Sequence, residues 1–359
     1  MKIHDKFILS SFWKNLLIGL LTFILIYITV DFNEEIDDFL DHDATIMQVA
    51  SYYFFRLPWI IMLTHPVAVL LSTVFSLGKM SRNNELTAFI ASGTPLIRLA
   101  MPLLLSALLI SVLSIGLNEM IVPPANHRAE NIMKYDIMKE KTRNTSRTKK
   151  DLFYQGKSNV TYYAEKYDVK LKAFTNLVVQ NYEKSHLKKR IDAEKGFWNG
   201  SEWVLLKGVT RTFSEGEERS EQFTRRTVKW LKVKPEDLTK EQLEPEEMNY
   251  FQLKEYIDKI RRQGGNTNKY EVDLHFKFSF PLTSFLFAVI GVSFSSGKRS
   301  PSIATGFGLT LVVSFVYYGI LRIGQALGQS GLIPPVISAW GVNIIFCILG
   351  AMLLYRANR

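Results

Sequence analysis

The chain has 359 residues, a formal net charge of +10 and 47% hydrophobic residues, with a mean hydropathy of +0.04. That neutral average hides a segregation, because residues 123–270 hold 31 of the 44 Lys and Arg and 22 of the 34 Asp and Glu. A disordered chain, a secreted mini-domain and an ordinary cytosolic enzyme are all excluded by this division. The single cysteine, Cys347, lies in an apolar run, which leaves no intrachain disulfide and no Cys metal cluster.

A spanning helix needs about 20 largely apolar residues to cross about 30 Å of hydrocarbon. The charge-free windows 57–78, 99–118, 278–297 and 300–321 are each 20 to 22 residues long. A longer window, 323–355, is interrupted by Gly-Gln-Ser-Gly and by Pro334-Pro335, and its second half, from Leu332, supplies a last span. The first apolar window, 15–30, is only 16 residues and is expected to recruit 7–13 from the interface. Lys2, Lys6 and Lys14 ahead of it resemble the basic end of a signal peptide, but no small-x-small site follows, and Tyr27-Ile28-Thr29-Val30 runs into acids. Six membrane helices are expected.

Short loops give the orientation. Lys2, Lys6, Lys14, Lys79, Arg82, Arg98, Lys298, Arg299, Arg356 and Arg359 fall on one side. Asp31, Glu34, Glu35, Asp37, Asp38, Asp41 and Asp43 fall on the other, with an uncharged turn around Gly331. Both termini are therefore expected in the cytoplasm and the large polar insert outside. The insert's own positive surplus is no objection, since long translocated domains escape the rule.

Within the insert, short runs rich in Val, Thr, Tyr, Phe and Trp at 160–164, 177–182, 203–207 and 223–228 alternate with turn signals such as Asn199-Gly200-Ser201 and Ser214-Glu215-Gly216. Regular short strands of this kind predict an antiparallel sandwich or jellyroll-like domain. A helix is expected from Ala125 to about Lys141, continuing the third span. Another is expected over 248–263, with Phe251, Leu253, Tyr256, Ile257 and Ile260 as its apolar stripe and Gly264-Gly265 as its stop. The organisation read from sequence is 1–122 for helices one to three, 123–270 for the β-rich domain, and 271–359 for helices four to six.

No P-loop, HExxH, CxxC or GxSxG pattern is present, and the six histidines have no ligand spacing. No catalytic residue and no metal site is expected. His65, inside the second span before Pro66, reads as a neutral histidine bonded between helices rather than a metal ligand. Three glycosylation-type triplets, at Asn144, Asn159 and Asn199, read as chance matches in a polar domain.

Two features carry chemistry. The connection Lys79-Met80-Ser81-Arg82-Asn83-Asn84-Glu85-Leu86-Thr87-Ala88-Phe89-Ile90-Ala91-Ser92-Gly93-Thr94-Pro95 reads as a short helix over about 81–93. Ser81 and Glu85 suit its start, Leu86, Phe89 and Ile90 form an apolar edge, and Gly93 with Pro95 stops it. Such a helix either lies on the membrane surface or docks into a groove on a cytoplasmic partner. The second feature is charge near membrane depth: Arg56, Glu119, Lys277 and Arg322. Snorkelling to the interface is the bland account of each. With Arg128 and Lys134, Arg56 and Arg322 could instead offer positive charge to a phosphorylated amphiphile.

Three spans, a polar β-rich domain and three more spans resemble, over the whole chain, the LptF/LptG family of lipopolysaccharide-export permeases. The most specific stretch, Asn84-Glu85-Leu86-Thr87-Ala88-Phe89-Ile90-Ala91-Ser92-Gly93, is similar to the family's coupling helix. Leu332-Ile333-Pro334-Pro335 matches its turn before the last span. Leu253-Lys254-Glu255-Tyr256-Ile257 through Gly264, Tyr270 and Lys277 is similar to the LptG stretch entering span four. The resemblance implies a half-transporter of an ABC system in the inner membrane, without nucleotide-binding motif or cofactor of its own. It implies an LptF-like sister permease, an LptB-like cytoplasmic ATPase dimer engaging Ser81, Arg82, Glu85, Leu86, Phe89, Ile90 and Gly93, and an LptC-like periplasmic β domain receiving lipopolysaccharide. Glu85 matches the family's coupling-helix acid. Where family members often carry lysine after the proline of span two, this chain has Trp59, and near the outer end of span one it has Asp31. The lipid-contact residues therefore come from local reading alone.

Two other classes compete. A membrane-anchored envelope sensor or scaffold would use the β domain only to bind protein and would need no ATPase-docking loop. An ion-coupled transporter would place acids or broken helices near the midplane, whereas the windows above are free of charge.

Overall fold

The computed structural model describes residues 3–139, 148–155, 160–169, 171–183, 186–214, 217–228, 235, 243–262, 266–295 and 303–357. They divide into two compact units, one of 1–138, 243–254 and 268–359, the other of 139–242 and 255–267.

The first unit is helical. Helix α1 (Ile3–Asp41) is a single rod of 39 residues, longer than the short first span expected. No Gly or Pro occurs between Gly19 and Asp43, so the acidic run 31–41 continues the helix instead of forming a loop. The rod ends where Asp43 takes a positive φ of 52°. Helix α2 (Ile46–Arg82) starts with a capping box, in which Thr45 and Gln48 satisfy each other's exposed N–H groups. It carries Pro58 and Pro66. Helix α3 (Glu85–Ala91) and α4 (Leu96–Met120) follow. Helix α5 (Val122–Asn131), with Pro at its start, passes into a π-helical turn at Ile132–Ile137. Here the expected continuation of span three is present.

After a 3₁₀ turn (Pro245–Glu247) comes α6 (Tyr250–Arg262). Leu253 is buried, but Phe251, expected on the apolar stripe, is 78% exposed. Helices α7 (Asn268–Ser279) and α8 (Thr283–Ser295) form one bent pair with a 52° kink, and α9 (Ile303–Gln329) and α10 (Pro335–Ala357) complete the unit. Five helices are long and apolar enough to cross a membrane, and the bent pair makes a sixth span. The protein is a multi-pass membrane protein. The uninterrupted span expected over 278–297 is thus broken, and its part beyond Ser295 lies outside the described residues. One core joins α1, α2, α3, α4 and α8 (Ile8, Phe12, Leu77, Leu86, Leu99, Val292), and another joins α2, α8, α9 and α10 (Leu70, Phe287, Tyr317, Phe346).

The second unit holds six strands: β1 (Thr148–Gln155), β2 (Val160–Asp168), β3 (Ala173–Glu183), β4 (His186–Trp198), β5 (Trp203–Ser214) and β6 (Glu217–Val228). All pair antiparallel with their sequence neighbours in the order β1-β2-β3-β4-β5-β6. The inserted antiparallel domain is therefore present. Residues Tyr162, Leu177, Val179, Ile191, Trp203 and Leu205 bury one face, with Tyr167, Phe174 and Trp203 stacked among them. One line across the sheet lacks pairing in every ladder: Asp151, Glu165, Asn176, Glu194, Lys207 and Thr224. Asn176 and Lys207 have φ of 51° and 45° there, in the left-handed region. Side chains bridge neighbours along this crease, with Asn176 donating to Glu165 and Lys207 ion-paired to Glu194 at 3.9 Å.

Candidate coupling and lipid sites

Helix α3 is bounded at both ends by residues with left-handed φ. The chain leaves α2 at Arg82, and Asn84 turns it with a φ of 62°, a conformation asparagine tolerates well. The helix starts at Glu85, so Ser81 belongs to the last turn of α2 and not to the start of α3. Glu85 accepts a hydrogen bond from Asn83 Nδ2 at 3.0 Å. The far end closes with Gly93 at φ 86° and with Gly93 and Thr94 N–H groups donating to Ile90 and Phe89 carbonyls. The expected apolar edge is divided. Leu86 is buried in the protein's own core, Phe89 packs against that core, and Ile90 is 44% exposed. Arg82 and Gly93 are also exposed.

The proposed lipid-contact cations fall in two places. Arg56 lies over the Trp59 ring at 4.8 Å and within 6.0 Å of the Tyr52 centroid, and its Nε is buried with no hydrogen-bond partner. Arg322 is exposed and donates to Gln325 at 3.0 Å. Trp59, which Arg56 covers, and Arg322 line the same cavity, from α2 and α9. Arg128 and Lys134 sit elsewhere, on α5 and the π turn. Arg128 stands 5.9 Å from the Phe55 centroid, and Lys134 forms an ion pair with Glu130 at 3.0 Å. Asp31, near the outer end of the first span, accepts the hydroxyls of Tyr27 and Tyr53 at 3.0 Å each.

The other two charges at membrane depth meet each other. Lys277 is 8% exposed, with Nζ 3.6 Å from Glu119 Oε1, and Glu119 Oε2 accepts the Tyr250 N–H at 2.6 Å. They form a buried pair joining α4 to α7 and do not snorkel independently.

Prolines explain the surrounding polar network. Pro281 has no N–H, so the Lys277 carbonyl four residues earlier loses its helical donor, and Asn118 Nδ2 supplies one at 3.2 Å. Asn343 Nδ2 donates to the Ser279 carbonyl, and its Oδ1 accepts from Tyr317, which also bonds Thr283; all three distances are 2.6 Å. Ser111 Oγ accepts the Phe285 N–H at 3.2 Å. A broken helix is tolerated in a membrane only with such substitutes. At Pro66 the orphaned Met62 carbonyl accepts from His65 Nδ1 at 2.8 Å, which leaves Nε2 to accept from Ser114 Oγ at 3.0 Å. His65 is therefore a neutral interhelical link. Among the described residues no group of His, Cys, Asp and Glu could hold a metal.

Asp273, Gln325 and Glu246 on the cavity wall, and Gln329 that donates to Asp273, escaped the sequence reading. Gln325 and Gln329, four apart in a charge-free window, were the legible signal, because amides in a span seek a partner.

A family model described as "Lipopolysaccharide export system permease LptF/LptG" matches residues 6–356. The chain belongs to the LptF/LptG family. It is 20% identical over 362 residues to the lipopolysaccharide export system permease protein LptG of Escherichia coli K12. The LptG of Escherichia coli O6:H1 is equally similar. Each alignment covers 99% of this chain and 98% of the relative. As in that family, the chain is a membrane permease of lipopolysaccharide export.

Proposed function

We propose that this chain is the LptG-type half of an ABC exporter that extracts lipopolysaccharide from the inner membrane and hands it to a periplasmic bridge. The observation that carries the reading is the end-to-end family match. The chain pairs with an LptF-like permease, and two LptB-like ATPase subunits hydrolyse the ATP, since this sequence has no P-loop. Basic residues in the short loops put both termini and α3 in the cytoplasm and the β domain of 123–270 in the periplasm. There the β domain passes lipid towards an LptC-like domain.

In the coupling step, the anchored Leu86 holds α3 to the permease core, and Glu85, Ile90 and the exposed turn present the docking face. Glu85 would sit at the positive end of the helix, where its charge is favoured. Arg56 and Arg322, with Arg128 and Lys134 as a second patch, attract the phosphates of the lipid.

Native mass spectrometry of the complex from its own membrane tests the assembly. Masses for this chain, a homologous permease and two ATPase copies are expected. A chain that travels without a P-loop ATPase would refute the transporter reading and favour an envelope scaffold.

A further inference from the structure

A cavity of about 180 Å³ opens inside the helical unit, bounded by α2, the ends of α4 and α5, the 3₁₀ turn, α7 and α9. Trp59, Leu63, Phe276, Phe280 and Tyr318 make one side apolar, and Arg322, Asp273, Glu246 and Gln325 make the other polar. It is smaller than a site for a drug-sized ligand and suits a head group with the first atoms of its chains.

The charges are arranged in an unusual way. Lys277, also on the wall, is committed to Glu119. Arg322 and Asp273 are instead separated by one neutral amide: Gln325 Oε1 accepts from Arg322 at 3.0 Å, and Gln325 Nε2 donates to Asp273 Oδ1 at 3.4 Å. Gln329 adds a second long contact to the same oxygen at 3.3 Å. Among the described residues neither Arg322 nor Asp273 nor Glu246 has a charged partner within ion-pair distance. Arg322, Asp273 and Glu246 thus face a half-apolar cavity without a direct ion pair, and Lys277 acts on the two carboxylates only through space.

We propose that this cavity binds a phosphoethanolamine head group, with its phosphate on Arg322 and its ammonium on Asp273 and Glu246. A phosphate alone would meet Arg322 but also two like charges. A zwitterion satisfies both signs, which the cavity presents as a guanidinium and a carboxylate joined through one amide. A quaternary choline has no N–H to give Asp273 or Glu246. The site goes beyond the export reading and does not depend on it. Two lipids carry the group: phosphatidylethanolamine of the bilayer, and lipopolysaccharide substituted with phosphoethanolamine.

Short-chain phosphatidylethanolamine, phosphatidylglycerol and phosphatidylcholine would be titrated separately into the purified full-length protein, with its co-purifying subunits, and bound lipid counted by native mass spectrometry. Phosphatidylethanolamine should bind about tenfold tighter than either rival, the scale of one charge-assisted hydrogen bond. Asp273→Asn should erase that preference while sparing phosphatidylglycerol, and Arg322→Gln should weaken both. Glu246→Gln, at an exposed position, gives a smaller loss of the same preference and serves if Asp273→Asn does not fold. Equal affinity for the three lipids in the parent, or an unchanged preference in both acid variants, overturns the proposal. Lipopolysaccharide with and without the substituent forms the second arm. Preference for the substituted form makes the cavity a substrate subsite, and preference confined to the phospholipid makes it a resident-lipid site; no preference in either arm refutes it.

Discussion

The imidazole of His4 packs on the ring of Phe89, with centroids 5.5 Å apart, so the first turn of α1 rests directly on α3. Two faces of α3 then have separate duties. Leu86→Asp would place a carboxylate in a closed core and cost several kcal/mol, and Phe89→Asp would remove the seat of α1; both should lower the thermal midpoint of the permease itself. Glu85→Lys and Ile90→Asp should leave that midpoint within a degree or two yet release the ATPase. Retention of a full ATPase complement by the latter pair would show that α3 does not dock.

The buried pair at the kink makes a different prediction. Lys277→Met alone strands Glu119 and should cost about 3–5 kcal/mol. Adding Glu119→Gln, which keeps an acceptor for the Tyr250 N–H, should restore much of it. Thermal unfolding of the two variants in detergent reads the coupling directly, and additive losses would contradict a pair.

Asn343→Leu removes the donor to the Ser279 carbonyl and the acceptor for Tyr317 together. A loss of about 1–3 kcal/mol for each stranded group is expected. Tyr317→Phe, which removes one hydroxyl, should cost clearly less in the same assay.

Lipid recognition by two arginines is tested by Arg56→Gln with Arg322→Gln. Two charge-assisted bonds are worth about 1.5–3 kcal/mol each, so lipopolysaccharide crosslinking should fall by about a hundredfold or more. Lysine at either site should retain more binding than glutamine, though without bidentate geometry. Undiminished crosslinking in the double glutamine variant would mean the arginines only reach the interface.

For the β domain, the sheet order leaves β1 and β6 as edges among the described strands. Photo-crosslinkers placed along β6 or β1 should capture a neighbouring β domain, and those along the interior strands β3 and β4 should not. Uniform capture would rule out edge pairing.

Much of this fold could be read from residues alone, for reasons that also explain the failures. Charge-free windows located the spans because lipid penalises charge over a fixed length. The kink at Pro281 left no such trace, since a proline in an apolar run has no diagnostic neighbour in sequence; Asn118, Ser111 and Asn343 come from other helices. Asp31 and its acidic successors looked like a loop by charge, although nothing after Gly19 stops a helix until Asp43. In the β domain, Val and Tyr alternation exposed four strands, but charged runs hid two: Lys149-Lys150-Asp151 in β1 and Leu187-Lys188-Lys189-Arg190 in β4. At the candidate lipid site, Arg56 and Arg322 were visible as charges in costly places. Asp273 and Glu246 were not, because their meaning depends on which cations lack a partner in three dimensions.

The interrupted line through Glu165, Asn176, Glu194 and Lys207 has a mechanical meaning. It runs along the hydrogen-bonding direction, so each leaf of the sheet keeps its own ladder intact on either side. Along that line side chains take the place of ladder pairs, Asn176 with Glu165 and Lys207 with Glu194. The apolar face runs unbroken across it, with Leu177 and Ile191 on one side and Leu205 on the other in a single core, so the line divides the ladders but not the packing.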